Sequence, residues 1–417
     1  RTMMVPQGQK ARLVAQGYQD PDALSGNLET SSPTASQVGR NCMLAMAAQF
    51  GWRPWTANVS TAFLQGNEQE RLLLVQLPSD AARLLGCHDG EKVVMKLKKP
   101  MYGQGDAPRR WFLVADSRLK ALGFVPHKLD PCLYMSYNPD VPNQPDGCIS
   151  LHVDDMLGAG SEVGYSHSNN FAARVKKLRQ AFQFRTWKQE ARMDFCGGDL
   201  KTNDDGSIDY TNETYAKKVI PVSLPAERTK HPAEKATVRE ISKLRGLLGS
   251  LQWPATQSSA ALQCTASMLH GQISNATVGT IQEANKALRF FKNNADVGIK
   301  FQRLGESLDD LGFICMTDAA WGTRADGSSQ GGYLIFMVNR SMLSGQEGPY
   351  VLLDWRSAKL TRMSRSSLNS ESQAAAMGVD SLEYIKTFWA LMRYPECDPR
   401  ENATMALAGV SALVVDA

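Results

Sequence analysis

The stretch Ile149-Ser150-Leu151-His152-Val153-Asp154-Asp155-Met156-Leu157 places two adjacent carboxylates at the end of a short strand-like run. Such carboxylates repel each other and are costly at a strand end unless a cation bridges them. Oxygen ligands on a rigid turn suit Mg²⁺, which keeps several waters and takes one or two protein carboxylates. The pattern therefore indicates a Mg²⁺ site, and an exposed turn of ordinary solvated acids is the alternative.

The length and composition indicate a multidomain globular protein. The chain has 417 residues, enough for two or three domains at about 150 residues each. Its 43% hydrophobic and 21% charged residues exclude wholesale disorder and fibrous classes. The net charge of +4 is too small to indicate a nucleic-acid partner by itself. No run of about 18 apolar residues occurs, so neither a transmembrane helix nor a membrane partner is predicted.

The cysteines bear on cellular location, and the first residue bears on the extent of the chain. The eight cysteines are scattered without a C-x-x-C pair, which indicates reduced thiols of an intracellular protein rather than a zinc knuckle. The first residue is Arg1 rather than Met, so we expect the chain to be part of a longer one. Basic clusters, such as Lys96 with Lys98 and Lys99, are predicted to be solvated surface.

Two composition breaks divide the chain into a first, a middle and a C-terminal part. The breaks are the charged, proline-containing stretch Pro225–Arg239 and the short polar stretch Gly305–Asp310. Apolar periodicity predicts a mainly helical middle part and the order β-β-β-α-β in the C-terminal part. The predicted elements are strands at Arg71–Leu77, Val93–Leu97, Cys132–Ser136, Cys148–Val153, Leu311–Met316, Gly332–Met337, Tyr350–Trp355 and Ala412–Val415, and helices at Val38–Phe50, Arg110–Leu122, Ser168–Phe182, Ile241–Leu251, Ile281–Lys292 and Ser366–Ala376. The last helix is expected to continue beyond Ala376.

Several further stretches accompany the Asp-Asp pair in a fixed order. They are Lys10-Ala11-Arg12-Leu13-Val14-Ala15-Gln16-Gly17-Tyr18, Asn58-Val59-Ser60-Thr61-Ala62-Phe63-Leu64-Gln65-Gly66, the run KKPMYGQGDAPRRWF from Lys98 to Phe112, Asp130-Pro131-Cys132-Leu133-Tyr134 and Leu247-Leu248-Gly249-Ser250-Leu251. Together they resemble the reverse transcriptase of copia-type LTR retrotransposons over nearly the whole chain. The resemblance implies an α+β fold with right-hand polymerase fingers and palm over residues 1–224. It also implies a linker and helical thumb or connection over 225–310, and a mixed α/β ribonuclease H-like domain over 311–417.

The resemblance implies a metal site in the palm. In that family the palm carboxylates hold two Mg²⁺ ions, which activate the primer 3′-hydroxyl and neutralise the triphosphate. Asp154 matches the shared metal ligand and Asp155 its adjacent partner, so both are expected to be catalytic metal ligands. Val59 is expected to lend a backbone carbonyl to the site. Mn²⁺ is the alternative ion.

The resemblance also implies four residues that bind nucleotide or template. Lys10 and Arg12 match basic finger residues and are expected to clamp the incoming deoxynucleoside triphosphate. Tyr102 and Gly103 match positions that contact the nucleotide and the template. An ordinary turn is the alternative explanation for Tyr102 and Gly103.

Three departures from the family pattern bear on activity. Asn58 stands where the family has its first palm carboxylate, and a neutral amide oxygen should hold a divalent ion far less well. His152 replaces the Tyr before Val-Asp-Asp, and Asp106 replaces a Gln, which would bring an acid near the phosphate path. We therefore expect the palm fold to be retained and the polymerase to be impaired.

The C-terminal part carries its own set of acids. They lie in Thr317-Asp318-Ala319-Ala320-Trp321, in Ser364-Arg365-Ser366-Ser367-Leu368-Asn369-Ser370-Glu371 and in Val414-Val415-Asp416-Ala417. The pattern resembles the ribonuclease H domain that follows the polymerase in copia-type elements. It implies that Asp318, Glu371 and Asp416 are catalytic ligands of Mg²⁺, which activates water against the RNA strand of an RNA–DNA hybrid. The alternatives are a strand-end turn residue for Asp318 and a solvated helix residue for Glu371, and we expect the domain to be truncated.

The leading hypothesis is a retrotransposon-derived RNA-directed DNA polymerase with a ribonuclease H domain, impaired by Asn58. The alternatives are a catalytically inactive nucleic-acid-binding remnant and a residual RNA–DNA hybrid nuclease. The expected partners are an RNA template, a DNA primer, their hybrid and deoxynucleoside triphosphates. The expected location is a cytoplasmic particle or the nucleus, and the sequence leaves the oligomeric state open.

Overall fold

The computed structural model describes residues 13–88, 91–138, 140–141, 143–162 and 170–415. Its helices are α1 (Pro21–Leu24), α2 (Gln37–Phe50), α3 (Ser79–Leu84), α4 (Ala107–Ala121), α5 (Phe171–Ala181), α6 (Glu213–Ala216), α7 (Ala226–Thr229), α8 (Val238–Gln257), α9 (Ala260–His270), α10 (Val278–Asn293), α11 (Ser367–Arg393) and α12 (Asn402–Ala406). Its strands are β1 (Trp55–Val59), β2 (Leu74–Gln76), β3 (Val94–Lys96), β4 (Val125–Pro126), β5 (Leu133–Tyr137), β6 (Pro145–His152), β7 (Asp155–Gly160), β8 (Phe184–Lys188), β9 (Arg192–Phe195), β10 (Gly198–Thr202), β11 (Ile208–Thr211), β12 (Ile299–Phe301), β13 (Leu311–Ala320), β14 (Gln330–Asn339), β15 (Tyr350–Lys359) and β16 (Ser411–Val415). The predicted α+β class, with antiparallel sheets, is confirmed.

The largest sheet has six strands in the order β4-β5-β6-β7-β1-β8. Its neighbouring pairs are antiparallel, and β6 and β7 form a hairpin. Successive side chains of a strand point to opposite faces, and in β5 the residues Leu133 and Met135 pack toward α2, whereas Tyr134 packs toward α4 and α5. Because helices cover both faces, the central strands are buried along almost their whole length.

Helix α2 joins the three parts of the chain. It is buried from Gly39 to Gln49 because it contacts β6 and β7 on one side and β12 and β15 on the other. Arg40 Nη1 donates to Gln257 Oε1 at 2.7 Å, at the end of α8. Asn41 Nδ2 donates to the Leu353 carbonyl at 2.8 Å, on β15. The polar residues of a buried helix thus find partners in other parts of the chain.

The middle part contains three long helices, α8, α9 and α10, around one apolar core. Helix α8 begins at a capping box, in which Thr237 Oγ1 accepts from the Glu240 amide and Glu240 Oε2 accepts from the Thr237 amide. The predicted linker Pro225–Arg239 therefore ends inside α8. After α10 the chain returns as β12, which pairs with β11 in a sheet of order β12-β11-β10-β9.

The C-terminal sheet has the order β15-β14-β13-β16, and β13 and β16 are parallel. Helix α11 packs on β13 and β14, and α9 packs on β15. The helix predicted at Ser366–Ala376 was expected to continue, and α11 extends to Arg393. The extension packs against the large sheet, where His127 Nε2 lies 3.1 Å from the Phe388 carbonyl. In the described part of the chain, no helix is both long and apolar enough to cross a membrane.

Candidate active site

The predicted carboxylates lie at the turn between β6 and β7. His152 pairs with Asp155 across the hairpin, so Val153 and Asp154 form the turn. Val153, the last residue of the predicted strand, therefore lies just after β6. Val153 has a φ of 56°, which is a genuine outlier for a β-branched residue, and such strain clusters at functional sites. The buried Trp111 of α4 donates its Nε1–H to the Val153 carbonyl at 2.7 Å. Helix α4 thereby holds the strained turn in place.

Asn58 of β1 directly faces Asp155 of β7 in the antiparallel register. Asn58 Nδ2 donates to Asp155 Oδ1 at 2.7 Å. The Val59 amide donates to the Asp154 carbonyl, also at 2.7 Å. The side chains of Asn58, Asp154 and Asp155 are half-buried. The structure therefore brings together four residues that the sequence assigned to one site.

The two acids are poorly compensated by positive charge. Burial raises the pKa of the Asp155 carboxyl above its ordinary value, and the neighbouring charge of Asp154 raises it further. The hydrogen bond from Asn58 opposes these effects without cancelling them. Among the described residues, no Lys or Arg forms an ion pair with either acid. The site therefore has an unmet demand for a cation or a hydrogen-bond donor.

A cleft of about 900 Å³ opens in front of these residues. Asn58, Val59, Asp154 and Tyr102 are among the residues that line it. The cleft also has four basic side chains at its border, namely Lys96, Lys98, Lys99 and Arg185. The lysines that the sequence predicted to be solvated surface thus also line the cleft. Basic side chains around a cleft that also has Asp154 at its border suit a ligand that carries phosphates.

Arg185 is a basic residue of the cleft that sequence reasoning missed. It lies on β8, where the pairing with β1 shifts register between Asn58 and Val59, whose partners are Thr186 and Phe184. Such a bulge leaves one residue without a partner and re-aims its side chain. The local sequence contains no signal for this, because a bulge is a property of the strand pair.

Tyr102 and Gly103 have different surroundings. The ring of Tyr102 lines the cleft and lies 4.8 Å from the ring of Phe63. Gly103 has a φ of 92°, and a Cβ there would lie 2.1 Å from the Ala15 carbonyl oxygen. Glycine is therefore required for the close approach of the 13–17 segment. The contacts of Tyr102 and Gly103 with nucleotide or template stay predictions.

Asp106 does not bring an unpaired acid into the cleft. It is buried, and its Oδ2 accepts from Arg110 Nε at 2.6 Å. Its Oδ1 lies 3.5 Å from Arg71 Nη2. Two arginines neutralise Asp106, and it is not among the residues that line the cleft. Its place relative to a phosphate path stays a prediction.

Two predicted basic residues, Lys10 and Arg12, lie outside the described residues. The described residues begin at Leu13, which lines the cleft. Their proposed grip on the triphosphate therefore stays a prediction.

A family model described as reverse transcriptase (RNA-dependent DNA polymerase) matches residues 3–224, which is more than half of the chain. The chain belongs to this reverse transcriptase family. The match includes Asn58, the turn with both acids and the residues that line the cleft. The resemblance predicted from the motifs is confirmed.

Plant transposon proteins are similar to this reverse transcriptase-family chain over most of its length. The Retrovirus-related Pol polyprotein from transposon RE1 of Arabidopsis thaliana is 25% identical over 390 residues, which are 90% of this chain and 24% of that protein. The corresponding protein from transposon RE2 is 26% identical over 388 residues, with the same coverage. The one from transposon TNT 1-94 of Nicotiana tabacum is 30% identical over 158 residues, which are 37% of this chain and 11% of that protein. The chain thus spans about a quarter of the length of the first two relatives.

Among solved structures, the chain is similar to the foamy viral protease-reverse transcriptase in complex with an RNA/DNA hybrid. The sequence identity is 12% and the TM-score is 0.43, over 93% of this chain and 46% of that one.

The first of the three C-terminal acids lies near the end of β13. Asp318 is exposed there, and Glu371 lies in the second turn of α11. Glu371 is half-buried, and its Oε1 accepts from the Ala319 amide at 3.3 Å. Glu371 thus bonds to the strand residue that follows Asp318, which disfavours the alternative of a solvated helix residue.

The third C-terminal acid, Asp416, lies outside the described residues. Thr317 pairs with Val415 in the parallel register between β13 and β16, and this pair ends the described part of β16. The convergence of Asp416 with Asp318 and Glu371 stays a prediction.

The donor groups decide how well each site suits a divalent ion. In the described part of the chain, no group of three or more His, Cys, Asp or Glu residues is arranged to hold a metal. In the palm, Asn58 turns an N–H donor toward Asp155, whereas a metal needs a lone pair. The palm donors as arranged therefore do not fit a two-ion site. Asp318 and Glu371 are both acids and fit Mg²⁺ by donor type.

Proposed function

We propose that this chain is the reverse transcriptase and ribonuclease H segment of a copia-type retrotransposon Pol polyprotein, with impaired DNA synthesis. The observation that carries the proposal is the hydrogen bond between Asn58 and Asp155 at the border of the cleft. The substrates would be an RNA template, a DNA primer and deoxynucleoside triphosphates. The proposed cofactor is Mg²⁺ or Mn²⁺.

The impairment follows from the chemistry of position 58. Divalent ions bound in a palm supply charge that offsets the triphosphate and activates the 3′-hydroxyl. Asn58 removes one negative charge from the residues that would hold such ions. Its amide N–H also occupies one oxygen of Asp155. Both effects weaken cation binding, so we expect DNA synthesis to be very slow while the cleft remains intact.

A path for a nucleic-acid duplex leads away from the turn over α8. Strand β9 contacts β7, and a Cβ on Gly197, just after β9, would lie 3.2 Å from the Trp253 ring of α8. Gly246 and Gly249 lie on the exposed side of the same helix, with nothing within 4 Å of an added Cβ. Glycine in an exposed helix costs about 1 kcal/mol relative to alanine. A bare helix backbone beside the exposed Arg245 supports close approach of a phosphate backbone.

The C-terminal part would cleave the RNA strand of the hybrid. Bound Mg²⁺ would activate water there, with Asp318 and Glu371 among its ligands. The segment that precedes α11 is tied to the same end of the sheet, because Trp321 Nε1 donates to the Ser364 carbonyl at 3.0 Å. Arg365 is exposed beside it and, among the described residues, forms no ion pair. A free arginine near the acids supports contact with the hybrid phosphates.

Primer extension on an RNA template tests the proposal directly. The natural chain should show negligible synthesis with Mg²⁺ or Mn²⁺. Asn58→Asp restores the missing charge and should raise synthesis by about 100-fold, which corresponds to a few kcal/mol of transition-state stabilisation. Asn58→Ala is the matched control and should stay inactive. Robust synthesis by the natural chain would refute the impairment.

A nucleic-acid-binding remnant without chemistry is the second candidate. The basic border of the cleft favours it, because Lys96, Lys98 and Arg185 attract phosphates whether or not Asn58 is changed. Binding of a labelled RNA–DNA hybrid, measured at several salt concentrations, should weaken steeply as salt rises. Hybrid binding with neither synthesis nor cleavage, also in Asn58→Asp, would favour the remnant. Absence of hybrid binding would contradict both candidates.

A further inference from the structure

We propose that the Asn58 amide takes the place of a divalent cation as the structural partner of the palm acids, so that this palm keeps its geometry without metal. The inference builds on the proposed function, in which a palm of this kind would otherwise hold cations between its acids. It concerns the folded state and not the rate of synthesis.

The first argument is the strand register. Residue 58 lies directly opposite Asp155, and like charges in directly opposed cross-strand positions destabilise a sheet. Asp154 adds a second negative charge beside Asp155. All three side chains are half-buried, and reduced contact with water strengthens their repulsion. A carboxylate at position 58 would therefore need a cation to lie stably opposite Asp155.

The second argument is that asparagine turns the repulsion between position 58 and Asp155 into an attraction. The side chain is nearly isosteric with aspartate, but its Nδ2 donates to Asp155 Oδ1 at 2.7 Å. A hydrogen bond to a charged group is stronger than one between neutral groups. The repulsive pair becomes an attractive one, and the demand for a cation falls with the lost charge.

The third argument is that the turn has other attachments that need no ion. Trp111 Nε1 donates to the Val153 carbonyl, and the Val59 amide donates to the Asp154 carbonyl. These bonds hold the backbone of the turn on both sides. A cation is then not needed to hold the backbone of the turn, and the Asn58 amide offsets part of the unfavourable burial of Asp155.

The test is thermal unfolding of the full chain in EDTA, in Mg²⁺ and in Mn²⁺. The variants are Asn58→Asp, Asn58→Ala, and a swap that combines Asn58→Asp with Asp155→Asn. The measured quantity is the increase in melting temperature on adding metal, compared between variants, because an ion in the C-terminal part shifts all variants alike.

In EDTA, Asn58→Asp should melt about 3 °C below the natural chain, and metal should recover this loss because it binds the folded state. The swap restores an amide opposite a carboxylate at unchanged net charge, so it should respond to metal no more than the natural chain. Asn58→Ala loses the hydrogen bond without adding charge and should also respond no more than the natural chain.

Equal melting of Asn58→Asp and the natural chain in EDTA would overturn the inference. An equal response of both chains to metal would also overturn it, as would a swap that still depends on metal. If Asn58→Asp folds only when metal is present, the inference is supported; if it folds in neither condition while the swap folds, it is refuted. A metal-dependent Asn58→Asp that still makes no DNA would contradict the proposed polymerase and support this inference.

Discussion

The palm acids and the C-terminal acids are both proposed to bind divalent ions, but they differ in burial and in hydrogen-bond partners. Asp154 and Asp155 are half-buried on a turn, and Asn58 has replaced the acid expected opposite them. Asp318 is exposed, Glu371 bonds to the backbone of β13, and the predicted acids of this set are all present in the sequence. The difference teaches that backbone hydrogen bonds and strand register hold the residues around the turn together although position 58 carries no charge.

The largest expected effect concerns cleavage of an RNA–DNA hybrid, which we propose depends on the C-terminal acids. Glu371→Gln keeps an oxygen to accept from the Ala319 amide but removes the charge. We expect cleavage of a labelled RNA–DNA hybrid with Mg²⁺ to fall by about 100-fold or more, because the proposed metal ligand would lose its charge. The matched control is Glu383→Gln, an exposed acid on the same helix.

The control variant should cleave at the rate of the natural chain. Equal loss in both variants would mean that the effect comes from the helix and not from the site. Cleavage that survives Glu371→Gln would remove this residue from the site and end the contrast between an altered palm and an intact C-terminal set.

A smaller effect concerns Asp354, a half-buried acid of β15 that belongs to neither site. Burial raises the pKa of its carboxyl to about 6, although the Tyr333 hydroxyl donates to it at 2.8 Å and opposes the rise. The folded chain binds this proton more tightly than the unfolded chain, whose pKa is near 3.8. The stability that the protonated group contributes is thus complete below about pH 4 and is lost as pH rises through about 6.

Asp354→Asn should therefore raise the free energy of unfolding by about 2 kcal/mol at pH 8 and have little effect near pH 4. Denaturant unfolding at a series of pH values measures this. Because Asp354 belongs to neither site, this variant measures how much the burial of a carboxyl costs in stability, independently of any role of acids in a site. A uniform effect at all pH values would show that the carboxyl is not held neutral by burial.

The smallest effect compares two buried tryptophans, one in each region. Trp111 donates to the turn of the palm acids, whereas Trp389 Nε1 of α11 has no hydrogen-bond partner among the described residues. Both are almost fully buried, so replacement by Phe removes a similar volume. Trp111→Phe also leaves the Val153 carbonyl unsatisfied, which costs about 1 kcal/mol more.

Denaturant unfolding of Trp111→Phe and Trp389→Phe should show this difference. Hybrid cleavage by Trp111→Phe should remain at the natural rate, because the turn belongs to the palm. Equal destabilisation by both variants would mean that the indole hydrogen bond does not hold the turn.

The sequence located most of the long helices and the longer strands, but it missed helix α9 and several short strands. Helix α2 was predicted within one residue, because apolar periodicity is a local property. Strand β1 was not predicted, and neither were β7 and the strands β8–β12. These segments contain polar or small residues, and their strand conformation depends on the neighbours with which they pair.

The sequence by itself determined which chemical groups are present: two adjacent acids after a strand, an amide at position 58, and a separate set of acids in the C-terminal part. The tertiary structure alone decided how these groups meet. Asn58 and Asp155 are 97 residues apart, and only the strand register makes them partners. The bulge at Arg185 and the neutralisation of Asp106 by Arg71 likewise arise from long-range pairing. The physical reason is that a residue type sets what a group can bind, whereas register and packing between distant segments set what it reaches.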